Sequence, residues 1–146
     1  MGATSVGVIG FFSLVGSLGL GALSDRTGRK VAILIALILQ CAAYTLFFTS
    51  YSLPALYLGA AAFGVFYGGI ASLFPALAGD LFGRKYAGSI AGAIFGGSGT
   101  LGGWGPTAAG YFRDVDGDYR FAFAACGVTA VIALVLFSLL PKARRA

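Results

Sequence analysis

Gly21-Ala22-Leu23-Ser24-Asp25-Arg26-Thr27-Gly28-Arg29-Lys30-Val31-Ala32-Ile33 sets four charges and two glycines within its first ten residues. Largely apolar stretches of about twenty residues, the length a bilayer's hydrocarbon core demands of a helix, flank it on both sides. The stretch therefore reads as a tight turn between two membrane-spanning helices, with Gly28 supplying backbone freedom at the reversal. The remainder of the chain can be placed outward from that turn.

Of the 146 residues 58% are hydrophobic and 10% charged, too little polar surface to clothe a soluble domain of that length. The sequence has no Glu, His or Asn, which removes glycosylation sequons, imidazole acid-base chemistry and imidazole metal ligands. Asp80, the aspartates after Arg113 and the scattered serines form no nucleophile-base arrangement, so no catalytic residue, no metal and no cofactor is assigned and an enzyme is not expected. Cys41 and Cys126 each lie inside an apolar stretch, far apart, and read as small buried hydrophobes. A net charge of +5 on a soluble face would indicate nucleic acid, but here the cations stand at the ends of apolar runs and report topology. No nucleic-acid partner follows; the partner is the lipid bilayer. Met1 is followed by no basic segment or small-residue cleavage site, so no cleavable signal peptide is expected.

Five spans are expected, over residues 4–23, 31–49, 54–79, 86–112 and 119–140, each long enough for a core of about 30 Å at about 1.5 Å per residue. Pro54 falls in the first turn of the third span, where a missing amide matters little, and Pro141 and a basic tail stop the fifth. Arg26, Arg29, Lys30, Arg84, Lys85, Lys142, Arg144 and Arg145 fall on one side of the membrane, Arg113 and Arg120 on the other. The positive-inside rule then places the Gly21 turn, the Arg84 loop and the C-terminus in the cytoplasm. The first span would start outside, which leads us to expect further residues before Met1.

Glycine divides the spans. The second has none and the fifth only Gly127, whereas the first and third have five each and the fourth nine. Small residues permit close helix approach in lipid, so the first, third and fourth spans are expected inside and the second and fifth against lipid. On the fourth, Gly88, Gly92 and Gly96 share a face, while Gly102, Gly103, Gly105 and Pro106 weaken the helix toward its far end; tight packing or a bend would each use such a pattern. Two apparent motifs fail. Gly97-Ser98-Gly99-Thr100-Leu101-Gly102 matches a dinucleotide fingerprint but follows no strand. Asp114, Asp116 and Asp118 alternate like a calcium loop, but Tyr119 and Ala125 replace its glycine and its bidentate glutamate.

The Gly-x-x-x-Asp-Arg-x-Gly-Arg-Lys pattern between two spans resembles the signature loop of the major facilitator superfamily, with Gly21, Asp25, Arg26, Gly28, Arg29 and Lys30 all matching. The resemblance implies an all-α membrane protein in which five helices form most of one six-helix half of that fold, residues 1–146 being a partial domain. Four spans after the loop and a short basic tail make them helices eight to twelve of twelve, so that the missing N-terminal helices of the same carrier are partners. Residues 105–114 and 119–123 resemble the last connection in the monocarboxylate and oxalate/formate antiporter branches. Ser13 and Ser17 stand where the monocarboxylate branch has an Asp and an Arg.

What the resemblance implies for function is a secondary carrier, symporter or antiporter, in the plasma membrane, with no enzymatic activity. It would move a small solute, a monocarboxylate or other organic anion among the choices, by alternating access. Gly21 would let another helix cross closely. Asp25 would accept hydrogen bonds from the helix start near 87–89, beside Arg84, and Asp80 would lie within reach of Arg84, the cluster latching the cytoplasmic side. Ser13, Ser17, Phe63, Tyr67, Ser98, Thr100 and Trp104, polar or aromatic on glycine-rich spans, are candidates for the solute path. The competing reading is a truncated, non-transporting helical module that associates with a partner protein through its fourth span.

Overall fold

A computed structural model describes residues 2–49, 52–116 and 119–140, and among these the architecture is entirely helical. The elements are α1 (Gly2–Thr27), α2 (Arg29–Thr49), α3 (Leu53–Phe82), α4 (Arg84–Gly102), α5 (Trp104–Asp116) and α6 (Arg120–Leu139). Four of them, α1, α2, α3 and α6, contain stretches long and apolar enough to cross a membrane.

The helices run further than the apolar stretches that announce them, because a helix carries its charged ends beyond the hydrocarbon. At the first reversal everything but Gly28 is helical. Its φ of 98° is open to glycine and strained for other residues, and its amide donates to the Ser24 carbonyl at 2.9 Å, closing α1. Thr27 Oγ1 caps the Leu23 carbonyl at 2.8 Å. Gly83 repeats the device between α3 and α4, with φ 81° and an amide bond to Gly79 at 3.0 Å.

The fourth expected span, 86–112, is two helices. α4 ends at Gly102, Gly103 is a turn, and α5 begins at Trp104. The reason is local: Pro106 has no amide to give the Gly102 carbonyl, and glycines at 102, 103 and 105 lower the resistance to a break.

α3 is the centre of the assembly, packing against α1, α2 and α4, while α6 lies against α2. The α1–α3 contact is made backbone to backbone. A Cβ on Gly16 would sit 2.6 Å from Val65 Cα, one on Gly64 2.6 Å from the Ile9 carbonyl oxygen, and one on Gly68 2.6 Å from the Ser13 carbonyl carbon. Here glycine acts as expected. Elsewhere it does not. Leu20, Ala32, Ile33, Ala36, Leu37 and Leu73 form the buried cluster, four of them from glycine-free α2, whose alanines serve the same purpose. Gly88, Gly92 and Gly96 on α4 have nothing within 4 Å of where a Cβ would be. The expectation that α2 faces lipid and α4 is packed inside is thus reversed within this chain, because α4 meets only α3 and α5 among the described elements. α6 is largely exposed, as its composition implied.

Candidate functional site

The antiparallel run of α1 to α3 brings both ends of the signature stretch to the end of α3. Arg29, the first residue of α2, is the hub. Its Nε donates to Asp80 Oδ2 at 3.0 Å, and its Nη1 donates to Ser24 Oγ at 2.6 Å and to Asp25 Oδ1 at 3.3 Å. One guanidinium thereby joins α1, α2 and α3, using the fork geometry that a lysine lacks. Ser24 is buried, whereas the Asp25 and Asp80 side chains are 72% and 55% exposed. Both ion pairs are therefore solvent-screened and individually weak.

Lys30, the next residue, turns the other way. Its ammonium donates to the Ser138 carbonyl at 2.9 Å and also to the Leu140 carbonyl, at the end of α6. Orphan carbonyls and the negative end of the helix dipole both favour a cation there. Arg26 is exposed and makes no hydrogen bond or ion pair among the described residues. Beside the hub lies an open cleft of about 300 Å³ lined by Arg29, Pro75, Ala76, Gly79, Asp80 and Ala87.

Of the residues expected to form a latch, Asp25, Arg29 and Asp80 come together, but with different pairings. Asp25 and Asp80 share Arg29, so Asp80 points across to α2; the Arg84 side chain lies outside what is described. The Asp25 carboxylate has Arg29 as its partner among the described residues, with no bond to the amides near residues 87–89. Gly21 faces open space in this chain, with nothing within 4 Å of a would-be Cβ. Ser24 escaped notice in the sequence because nothing local marks a buried serine as an acceptor. Arg29 and Asp80 are 51 residues apart, and only the antiparallel topology could have paired them.

The candidate path residues fall into three groups. Phe63 and Tyr67 stack on α3 with ring centroids 6.3 Å apart, and Tyr44 of α2 lies 6.0 Å from Phe63. Gln40, the sole glutamine of the chain, stands one helical turn before Tyr44 on α2; it was not singled out from the sequence. Ser98 and Thr100 spend their hydroxyls on carbonyls of their own helix, Phe95 at 3.1 Å and Gly96 at 2.7 Å, and Trp104 is 72% exposed. The Ser13 carbonyl faces Gly68, and the Ser17 carbonyl accepts from Ser72 at 3.5 Å, so these residues serve the α1–α3 contact. No group of three metal-ligating side chains occurs among the described residues.

Gly28→Ala tests the reversal that assembles the hub. A side chain at positive φ costs about 1–2 kcal/mol, so the variant should unfold at lower temperature in detergent than the parent, with the same helical content before the transition.

The profile of the Major Facilitator Superfamily matches residues 2–146. Among curated proteins, "Myo-inositol transporter 3C" of Cryptococcus neoformans var. grubii is 33% identical over 135 residues, 91% of this chain and 22% of the relative. "Myo-inositol transporter 3" of the same organism is 32% identical over a stretch of the same length and coverage. The chain therefore spans about a fifth of the length of the curated relatives it matches. No solved structure matches. With the signature residues gathered at one end of an apolar helical array and the profile covering all but the first residue, the chain is a multi-pass membrane protein that belongs to the major facilitator superfamily.

Proposed function

We propose that the chain is the C-terminal portion, helices eight to twelve, of a secondary carrier that moves a small polar solute by alternating access, and that it has no enzymatic role. The observation that carries the reading is the Arg29 hub. Three helices are held at one end by charge-assisted hydrogen bonds that are mostly exposed, beside an open cleft. Such bonds are strong enough to bias a state and weak enough to be broken in every cycle. The array belongs at the cytoplasmic face of the plasma membrane, a placement supported by the concentration of Lys and Arg at that end.

The names of the two relatives support a neutral polyol as solute. The likeness of residues 105–114 and 119–123 to the monocarboxylate and oxalate/formate branches supports an organic anion. Uptake decides: the full carrier, reconstituted in proteoliposomes, should accumulate labelled myo-inositol saturably, with unlabelled polyol competing and lactate or oxalate not competing. Competition by the carboxylates alone would make the solute an anion. Uptake of neither class by a folded carrier would favour a non-transporting helical module.

A further inference from the structure

We propose that α5 is a separately moving segment, hinged to α4 at Gly103 and tied to the α2–α3 pair by a cation–aromatic strut that starts at Arg113. α5 has few partners within this chain. Its 13 residues touch only α4 and α6 among the described elements and make no contact with α1, α2 or α3. The backbone ladder that would fuse it to α4 ends where the Gly103 amide bonds the Gly99 carbonyl at 2.9 Å, and Pro106 cannot restart it toward Gly102.

An arginine holds the far end of α5. Arg113 Nη1 donates to the Tyr119 hydroxyl at 3.3 Å, and the guanidinium carbon stands 5.2 Å from the Tyr119 ring centroid. Tyr119 precedes α6, and its ring is 6.5 Å from that of Phe123. Phe123 in turn meets Phe47 of α2 at 5.4 Å. Phe47 is seated where α3 has no side chain, since a Cβ on Gly59 would lie 2.7 Å from Phe47 Cε1. The line of contacts crosses α5, α6, α2 and α3, and joins α5 to the helix pair it does not itself touch. The movement would make or break the strut at Arg113 while α4 keeps its own packing on α3.

Spin labels test this in the full chain in lipid nanodiscs, with Cys41 and Cys126 changed to serine. One label pair joins Thr107 on α5 to Leu58 on α3; a second joins Ile94 on α4 to Leu58. Arg113→Gln should add a longer-distance population to the first pair and leave the second unchanged. Gly103→Ala with Pro106→Ala, which restores a continuous helix, should abolish that population in the Arg113→Gln background. Phe47→Leu breaks the strut at its other end and should act as Arg113→Gln does, which covers the case in which the arginine variant does not fold. Unchanged distances on the first pair, or equal shifts on both pairs, would overturn the proposal, the latter because α4 and α5 would then move as one helix.

Discussion

Gly68→Ala should destabilise the chain by about 2 kcal/mol, within the range of about 1–3 kcal/mol for overpacked cores. The methyl group would fall 2.6 Å from the Ser13 carbonyl carbon and nearer still to its oxygen. Both atoms are backbone of a packed helix, so no side chain can swing aside and α1 and α3 must part. Parting them also loosens Gly16 against Val65 and Gly64 against Ile9, which lie along the same seam. The control is Gly92→Ala, where nothing lies within 4 Å. Alanine there should gain about 0.5–1 kcal/mol from the lower backbone entropy of the unfolded chain. Thermal unfolding of the two variants in one detergent reads the difference, which should be opposite in sign. Equal, small effects would mean that α1 and α3 are not held by direct backbone contact.

Arg29→Gln should open the charged end. Each screened ion pair, with Asp25 and with Asp80, contributes about 0.2–1 kcal/mol. The bond from a charged donor to the buried Ser24 hydroxyl contributes about 1.5–3 kcal/mol. A loss of about 2 kcal/mol or more shifts a two-state equilibrium by roughly 30-fold, since about 1.4 kcal/mol is a factor of ten. The state lost is the one in which α1 and α3 are held to α2, so the cleft lined by Ala76 should become more accessible. A cysteine placed at Ala76 in a background free of native cysteines should react with an impermeant maleimide at least about ten-fold faster, by the same conversion. Arg29→Lys keeps the charge but not the fork, and should fall between. An unaltered labelling rate in Arg29→Gln would remove the hub from any role in gating.

How much of this was legible beforehand follows from which physics is local. The Gly28 reversal could be read because two long apolar runs and a charged turn fix it within a dozen residues. The break at Gly103 was half-read: its glycines and Pro106 were visible as a weakness, but whether a weak point bends or packs depends on neighbours. The burial of α2 was misread because glycine was taken as the sole mark of close packing, whereas Ala32, Ala36 and Ala43 bring helices together as well. The cross-bundle pairing at the charged site went unread for a different reason. Asp80 and Arg84 are one turn apart and invite a local pair, yet α2 presents Arg29 to the same carboxylate from across the bundle.

Gly28 and Gly83 each leave a single residue between two long helices. At this end of the molecule, then, α1–α2 and α3–α4 have almost no slack. A protease needs extended backbone in its cleft, and a linear epitope needs a loop that can be lifted from the surface; neither joint offers one. The same shortness makes each joint a poor place for an inserted tag or reporter, since even a few added residues would uncouple helices that now turn together as a rigid crank.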